Sequence, residues 1–501
     1  MVEQNYRWKW EKLLTWFGTL LLSAVFWLSW VNLAAANEME QQQHILSRLS
    51  FGATSQELEQ IADRGTEAYI QSQLKPETIP ESSILEDYLD ELETLKREPM
   101  SQQKQQGDFF RQLRNTKLSA KQKQQIRRQQ RNLRNGAKNE AVSAHVARAI
   151  YSNRQLQEVM VDFWFNHFNV SVQKRAVRFW INDYENQIRT HALGNFADLL
   201  LVTAKHPAML MYLDNEANTD PQSPAGKKRK LGLNENYARE LMELHTLGVD
   251  GGYTQDDVIS LARILTGWGI DYGNRNKGNY KGFWFHANRH DPNSKTFLGY
   301  EIAGNGVEEG ERAIAILANH PATADFISYK LAQYFVADVP PESLVKRLSK
   351  EFSNSKGNIK LVMDTLIHSP EFNDPQYYGQ KFKTPYQYFI SLVRMAEVEQ
   401  PEINRVQGMI EQLSMPVYQC GTPDGYKNTK SAWLNPQAIL QRTSLATAIA
   451  NKNLNRESPI VQELIEQNLG AMSADTQKVL TETPPRLRAA LIMGSPEAMY
   501  R

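Results

Sequence analysis

The amino-acid sequence predicts a mainly α-helical protein: a large multi-helix globular domain with a short β-hairpin or strand-like insertion. Its 501 residues can bury a large core, and 41% of them are hydrophobic, as is ordinary for a globular chain. Apolar residues recur three and four positions apart over much of the chain, for example at residues 153–168 and 319–335. Alternating apolar and polar residues, typical of strands, are limited to a stretch after Trp268 that includes Phe283 and Phe285.

The N-terminal segment, residues 1–37, predicts either a signal peptide or an N-terminal membrane anchor. Three basic residues precede an apolar run at residues 13–31, and the alanines at 34–36 provide the small residues of a cleavage site. The apolar run is also long enough to cross a hydrocarbon core of roughly 30 Å, so both outcomes stay open. Both place the following domain outside the cytoplasm: periplasmic, secreted or membrane-anchored.

After that segment, residues 38–450 form the predicted helical domain, and residues 451–501 form a C-terminal tail that is partly helical or flexible. The lone cysteine, Cys420, excludes an intramolecular disulfide and a zinc site built from several thiolates. The sequence lacks the G-x-S-x-G, Walker, H-E-x-x-H and G-x-G-x-x-G motifs. The most familiar hydrolase and nucleotide-binding classes therefore receive no support.

A basic arm at residues 94–139 interrupts the predicted domain. It contains thirteen Lys or Arg residues against two acidic residues, although the formal net charge of the whole chain is only +1. Helical spacing relates Arg127, Arg128, Arg131 and Arg134, which would make a cationic helix able to meet acidic polysaccharide, anionic lipid or nucleic acid. The alternative is a solvated helical hairpin or a flexible insertion. Export from the cytoplasm argues against nucleic acid.

The segment 233–268 carries the densest set of polar signals and predicts two helices. Asn234 can cap the first helix, and Gly248 can end it in a left-handed conformation. Thr254 and Asp257 have the spacing of a capping box at the start of the second helix. These signals predict where both helices begin and where the first one ends.

On the first of these helices, Asn236, Glu240 and Glu243 are spaced to share one face. Arg239 can pair with Glu235 one turn away, which leaves the carboxylates of Glu240 and Glu243 without an obvious local partner. Like charges one turn apart are unfavourable unless their surroundings compensate them, so this pair is either exposed or functional. In a catalytic site, one carboxyl would be a general acid and the other a base or nucleophile.

His245 projects from a different face of the helix than Glu243, so a metal site would need ligands from elsewhere in the chain. His167 is the best candidate partner, because it and Asn166 form a polar island in the aromatic stretch 162–168. Three interpretations stay open for these histidines: core residues bonded to the backbone, acid–base groups, or ligands of a divalent metal cofactor.

A second polar group follows the strand-like region. His286 and His290 are four residues apart, a spacing that favours metal binding when it occurs on a helix. The neighbouring aromatic residues and Pro292 favour strand and loop instead. His290 and Asp291, together with Lys295, are therefore interpreted as candidate linings of a substrate cleft.

Several long stretches of the chain form recognisable motifs: HILSRLSFGAT at 44–54, FWFNHFNV at 163–170, KHPAMLMYLDN at 205–215, NENYARELMELHTLG at 234–248 and NHPATADFISYKLAQYFV at 319–336. Together they resemble one bacterial family, catalogued as domain of unknown function number eighteen hundred. The resemblance runs from His44 to about Ile449. It implies an exported, mainly helical protein, often encoded beside a second family that looks like the alkaline phosphatase and sulfatase superfamily. It supplies no established catalytic residues.

The resulting hypothesis is an exported cell-envelope protein of unknown biochemical activity that binds or processes anionic extracellular polysaccharide. A non-enzymatic secretion or surface-assembly scaffold and a metal-dependent hydrolase are the alternatives, so enzyme activity, hydrolytic if any, stays open. The expected partners are anionic polysaccharide, an exported protein resembling the alkaline phosphatase and sulfatase superfamily, and the membrane if residues 1–37 are retained. The predicted catalytic residues are Glu240, Glu243, His167 and His245, and the predicted binding residues are Asn166, Asn234, Asn236, Arg239, His290, Asp291 and Lys295.

Overall fold

The computed structural model describes residues 37–273, 281–398, 401–450 and 472–501. Helices dominate these ranges, which confirms the predicted mainly α class. The helices of the first half are 37–49, Ser55–Arg64, Thr66–Gln73, Ser83–Asp90, Pro99–Leu113, Ala120–Tyr151, Gln155–His167, Val177–His191, Phe196–Lys205, Pro207–Tyr212, Pro224–Arg229, Asn236–Glu240, the π-helix Leu241–Thr246, and Gln255–Ile264. Those of the second half are Val307–Ala318, Pro321–Phe335, Glu342–Asn354, Ile359–Ile367, Pro385–Met395, Ile403–Gln412, Lys430–Trp433, Pro436–Ala450, Ala474–Glu482, Pro485–Met493 and Pro496–Met499.

The predicted signal peptide or anchor lies outside the described residues, apart from Asn37, and so do residues 451–471 of the predicted tail. No helix in the described ranges is both long and apolar enough to cross a membrane. The described part of the tail is helical and packs on the domain. The Tyr388 hydroxyl donates to the carbonyl of Met493 at 2.8 Å, and this bond ties the tail to the domain interior.

Two small antiparallel sheets interrupt the helices where the sequence predicts strands, which confirms the predicted short β insertion. The strand pairs are Trp268–Ile270 with Phe283–Phe285 and Lys295–Phe297 with Tyr300–Ile302. The second pair turns at Leu298 and Gly299, whose φ angles are 49° and 78°. Two successive positive φ angles give the turn that matches the right-handed twist of a two-residue hairpin.

The helix Gln155–His167 is buried on almost every side, as expected for a helix whose apolar residues surround its axis. Trp164 is fully buried, and its indole N–H donates to the carbonyl of Ala192 at 3.0 Å. This bond satisfies the polar end of a large core side chain. The helix thereby carries its C-terminal residues Asn166 and His167 into the interior of the protein.

The basic arm forms two helices, Pro99–Leu113 and Ala120–Tyr151, which pack on each other. Ser119 starts the second helix through a capping box. The Trp180 indole N–H donates to the side-chain oxygen of Gln103 at 2.8 Å and fixes the hairpin to the rest of the protein. The arm is therefore a helical hairpin docked on the domain.

Candidate functional site

The structure brings His167 and His245 together. The Nε2 atom of His167 donates to the carbonyl oxygen of His245 at 3.1 Å, and the ring centroids are 6.1 Å apart. Burial lowers the pKa of His245 to about 3. Two causes lower the pKa of His167 well below its ordinary value: burial, which is the larger, and the charge of the nearby His245. Both imidazoles are therefore neutral near pH 7, and His167 has the backbone-bonded arrangement of a core histidine.

Around these histidines, the described residues do not supply a metal site. In the described ranges, no group of three or more His, Cys, Asp or Glu side chains is arranged to hold a metal ion. The Nε2 atom of His245 is buried without a hydrogen-bond partner there. Its surroundings are aromatic, with the ring centroid of Phe168 at 5.2 Å. The metal-dependent hydrolase hypothesis thus gains no ligand set from this part of the chain.

Glu240 and Glu243 lie where the helix changes type. The α-helix ends at Glu240 and continues directly as the π-helix Leu241–Thr246, whose wider turn alters the spacing on which a common face depends. Arg239 reaches Glu243 at 3.4 Å as well as Glu235 at 3.3 Å. The prediction that Glu243 lacks a local partner is therefore wrong, because one arginine serves both carboxylates.

Glu240 is half-buried, and none of the ion pairs between described residues involves it. Its pKa is raised by burial, by Glu243 and by Asp424. A carboxyl group with a raised pKa keeps its proton closer to neutral pH, as a general acid requires. Asp424 lines the cavity beside His167, whereas Glu240 does not.

Asn234 and Asn236 hold the start of this helix in place. The side-chain oxygen of Asn234 accepts from the backbone N–H of Asn236, the first residue of the helix, at 3.0 Å, although the N-cap position itself is Glu235. The Asn236 amide donates to the carbonyl of Leu213 at 3.2 Å. Both side chains are thus engaged with the backbone of the protein.

His290, Asp291 and Lys295 belong to a separate, buried network. Glu309 joins His290 and Lys295: its two oxygens lie 2.8 Å from His290 Nε2 and 2.5 Å from Lys295 Nζ. Asp291 pairs with Arg263 at 2.7 Å. Burial raises the pKa of Glu309, but hydrogen bonds from His290 and Lys295 outweigh it and lower that pKa. The network does not line the cavity beside His167.

A cavity of about 340 Å³ lies beside His167, within the range of roughly 300–1,000 Å³ found for small-molecule sites. Of the residues predicted for the site, Asn166 and His167 line it and the other nine do not. The remaining polar walls are formed by Asp162, Lys330, Gln333, Tyr334, Thr384, Gln387, Asp424, Lys427, Asn428 and Thr429, and the apolar and aromatic walls by Phe163, Leu244, Phe326, Tyr329, Met415 and Tyr426.

Asp162 lines this cavity from the buried helix Gln155–His167, which is called the central helix below. Burial raises its pKa, although a hydrogen bond from Tyr334 acts in the opposite direction. The Tyr334 hydroxyl donates to Asp162 Oδ2 at 3.0 Å and accepts from the Gln387 amide at 2.9 Å. Gln387 is held in turn by the capping box of Thr384. This chain of bonds fixes the orientation of the carboxyl group.

Asp424 is the second carboxylate of the cavity, and its pKa moves in the opposite direction. Burial raises it, but hydrogen bonds from Lys427 and Thr422 outweigh burial and lower the pKa of Asp424. Its oxygen Oδ2 lies 2.6 Å from Lys427 Nζ. Lys330 is half-buried, with its ammonium 5.4 Å from the ring centroid of Phe326. The described residues give Lys330 no carboxylate partner within ion-pair distance.

The loop that carries Asp424 is fixed to the central helix by Asn166. The Asn166 side chain donates to the carbonyl of Tyr426 at 2.8 Å and accepts from its N–H at 2.7 Å. Gly425 has a φ of 69°, and a Cβ atom there would overlap the carbonyl oxygen of Asn166. Glycine is required because the loop approaches the helix end so closely. Asn166 therefore shapes the cavity wall.

Sequence reasoning missed Asp162, Lys330 and Asp424. Asp162 and Lys330 each interrupt an apolar helical stretch that belongs to a family-like motif, DFWFNHF or DFISYKLAQYF. A charged residue in such a stretch is a signal that could have identified both positions, because charged side chains are seldom buried without a role. Asp424 lies in a loop that is far along the chain from Asp162 and Lys330. The sequence therefore does not show that the three residues line one cavity.

The chain was compared with known proteins and families. The profile of a family described as "Protein of unknown function (DUF1800)" matches residues 44–500. No curated protein and no solved structure matches. The family match continues past Ile449, where the resemblance from the sequence motifs was expected to end, and includes the helices of the tail. Because the match covers most of its length, the chain belongs to the DUF1800 family of proteins of unknown function.

Proposed function

We propose that this protein is an exported cell-envelope protein whose 340 Å³ cavity binds an anionic sugar unit of an extracellular polysaccharide and hydrolyses its glycosidic bond. The observation that carries the proposal is the pair Asp162 and Asp424. The two carboxyl groups line one cavity, and their pKa values are shifted in opposite directions. Carboxyl pairs whose surroundings separate their pKa values are suited to act as general acid and general base.

Asp162 is the proposed general acid, because its raised pKa favours the protonated form. It would protonate the glycosidic oxygen as the bond to the leaving sugar breaks. Asp424 is the proposed general base, because Lys427 holds it ionised. It would take a proton from the water molecule whose oxygen adds to the anomeric carbon. Proton exchange with solvent then restores both groups.

The walls of the cavity support a sugar ligand with a negative charge. Tyr329, Tyr334 and Tyr426 bring aromatic rings to the cavity wall, which suits ligands with apolar faces such as sugars. Lys330 brings a positive charge without a carboxylate partner in the described structure, and a sulfate or carboxylate on the ligand would neutralise it. The predicted export segment supports a polymer outside the cytoplasm as the source of that ligand.

A non-enzymatic scaffold is the second candidate, and one observation favours it. The buried Glu309 pairs with the buried side chains of His290 and Lys295. Polar groups that are buried with their partners stabilise a fold without any substrate. An exported partner resembling the alkaline phosphatase and sulfatase superfamily fits either candidate and remains part of the proposal.

Calorimetric titration of the purified chain with a sulfated galactan tetrasaccharide tests the binding step. We expect Lys330→Gln to weaken binding about tenfold or more, since a charged hydrogen bond contributes about 1.5–3 kcal/mol and tenfold corresponds to about 1.4 kcal/mol. Lys350→Gln is the matched control, because Lys350 is exposed on another helix. The desulfated tetrasaccharide should bind weakly to all three proteins.

Release of new reducing ends from the sulfated polymer tests the chemical step. We expect Asp162→Asn and Asp424→Asn each to abolish the release while leaving tetrasaccharide binding within a few-fold of wild type. Asp63→Asn, at an exposed position, controls for loss of one carboxylate. Binding without reducing-end release by the wild-type protein would favour the scaffold, and equal affinity in Lys330→Gln and wild type would contradict the assigned ligand charge.

A further inference from the structure

We propose that the basic arm is a second binding site, separate from the cavity, which holds a sulfated polysaccharide chain at a cleft lined by Arg178. The proposal does not depend on the chemistry assigned to Asp162. It rests on three features of the arm: two arginine Nε atoms that have no hydrogen-bond partner among the described residues, a cleft rich in cations, and an exposed row of basic side chains.

The charge of Arg134 acts on Arg178, and none of the ion pairs between described residues involves either arginine. The Nε atoms of Arg134 and Arg178 are both buried, and neither has a hydrogen-bond partner. Two causes lower the pKa of Arg178: burial, which is the larger, and the positive charge of Arg134. Buried donors without acceptors and like charges at short range are both unfavourable. A sulfate or carboxylate group would relieve both, because the planar guanidinium group donates two parallel hydrogen bonds to such anions.

The cleft has a volume of about 180 Å³ and is lined by Arg178, Arg97 and Lys281. Two acidic side chains also line it, but each has a partner. Glu98 pairs with Lys281 at 2.5 Å, and Asp183 lies 3.1 Å from Nε2 of a buried histidine. The lining carries four cations, Lys96, Arg97, Arg178 and Lys281, against these two carboxylates, so the cleft keeps a net positive charge. The cleft is therefore suited to one small anionic group, such as a sulfate on a sugar.

A row of exposed cations leads along the arm to this cleft. Lys121, Arg127, Arg128 and Arg131 are exposed on the helix Ala120–Tyr151. None of the ion pairs between described residues involves these four side chains. Over the thirteen residues from Lys121 to Arg134 the helix rises about 20 Å. An extended polymer with repeated negative charges can contact such a row along its length, while one charged group enters the cleft.

The chemistry of the arm favours a polysaccharide over nucleic acid or a membrane. Proteins that bind single-stranded nucleic acid stack bases on aromatic side chains, and the arm contains only Phe109 and Phe110 as aromatic residues. A helix that lies on a membrane needs an exposed apolar face. The apolar residues of Ala120–Tyr151, such as Leu133 and Ala137, are buried against the protein. Charge alone remains as the means of recognition.

Binding to dextran sulfate, measured by fluorescence anisotropy in 50 and 300 mM NaCl, tests this surface. We expect the affinity of Arg127→Gln/Arg131→Gln to fall at least fivefold in low salt and the salt dependence to become weaker, since salt screens exposed charges. Lys227→Gln/Lys228→Gln is the matched control. It removes two exposed positive charges from another helix and should bind as wild type does. Unsulfated dextran should not bind any of them.

The cleft is tested with Arg178→Gln and the same probe. Because the substitution removes a positive charge that Arg134 disfavours and a buried Nε donor without an acceptor, we expect the variant to unfold at a temperature no lower than wild type does. Dextran sulfate should raise the unfolding temperature of wild type but raise that of Arg178→Gln by less than half as much. If dextran sulfate raises the unfolding temperature of both proteins equally, the cleft is not the binding site. If Arg127→Gln/Arg131→Gln and Lys227→Gln/Lys228→Gln lose the same affinity, the arm is not the binding surface. Tighter binding of oligodeoxythymidine than of dextran sulfate would overturn the polysaccharide assignment.

Discussion

Substitution of Gly425 by alanine perturbs the wall of the candidate site at a single point. The residue has a φ of 69°, and a Cβ atom there would overlap the carbonyl oxygen of Asn166. The neighbouring Tyr426 is held by two hydrogen bonds to the Asn166 side chain. To accept a methyl group, the loop must move away from the helix end, and Asp424 moves with it.

Two effects set the size of the loss in Gly425→Ala. A non-glycine residue in the left-handed region costs about 1–2 kcal/mol. Each of the two bonds between Asn166 and Tyr426 contributes about 0.5–1.5 kcal/mol, and a shift of the loop loses some or all of that. We therefore expect the free energy of unfolding to fall by about 2–4 kcal/mol, and the affinity for the sulfated tetrasaccharide to fall at least tenfold.

Urea denaturation and calorimetric titration measure the two quantities, and Gly379→Ala is the control. Gly379 has a similar φ of 62°, but a Cβ atom there meets nothing within 4 Å. The free energy of unfolding of Gly379→Ala should fall only by the cost of the left-handed backbone, about 1–2 kcal/mol. The variant should bind the tetrasaccharide as wild type does. If the two variants lose equal stability and equal affinity, the close contact between Gly425 and Asn166 does not shape the cavity.

Three further predictions concern single side chains. Burial raises the pKa of Asp162, so its ionised form destabilises the fold; Asp162→Asn should gain stability relative to wild type as the pH rises from about 4. Urea denaturation at pH 4 and 7 measures this, and a gain that is larger at pH 4 would contradict it. Glu309→Gln leaves buried Lys295 without a carboxylate and should cost about 3–5 kcal/mol. Guanidinium denaturation should show that adding Lys295→Met to Glu309→Gln recovers most of this loss; no recovery would refute the charge argument. Thr254→Ala removes a capping box and should cost about 1 kcal/mol in thermal unfolding, and an unchanged midpoint would show that the cap contributes nothing.

Local signals in the sequence were sufficient for much of the fold. Thr254 with Asp257 forms the predicted capping box, and Thr54 caps a helix in the same way. Gly248 has the predicted left-handed conformation, with a φ of 81°. Such features depend on residues three or four positions apart, so their chemistry is visible in a single sequence. The strand-like region after Trp268 was also predicted from a local signal, the alternation of apolar and polar residues.

The candidate site was predictable only in part, because it depends on contacts between distant parts of the chain. The sequence indicated His167 and His245 as neighbours, since each belongs to a polar motif. It did not indicate the π-helix that starts at Leu241, because its wide turn differs from the spacing of an α-helix. Nor did it show that the loop of Asp424 lies on the central helix. That contact requires the whole domain to fold.

The most direct test of the proposed acid–base site is the pH dependence of binding of the sulfated galactan tetrasaccharide to wild type and Asp162→Asn. The sulfate stays ionised from pH 4 to 8, so changes in affinity report on the protein. We predict that wild-type affinity rises as the pH falls through the raised pKa of Asp162, because the protonated carboxyl no longer repels the sulfate and can donate a hydrogen bond. Asp162→Asn should lack this rise. The same pH dependence in both proteins would contradict the role given to Asp162.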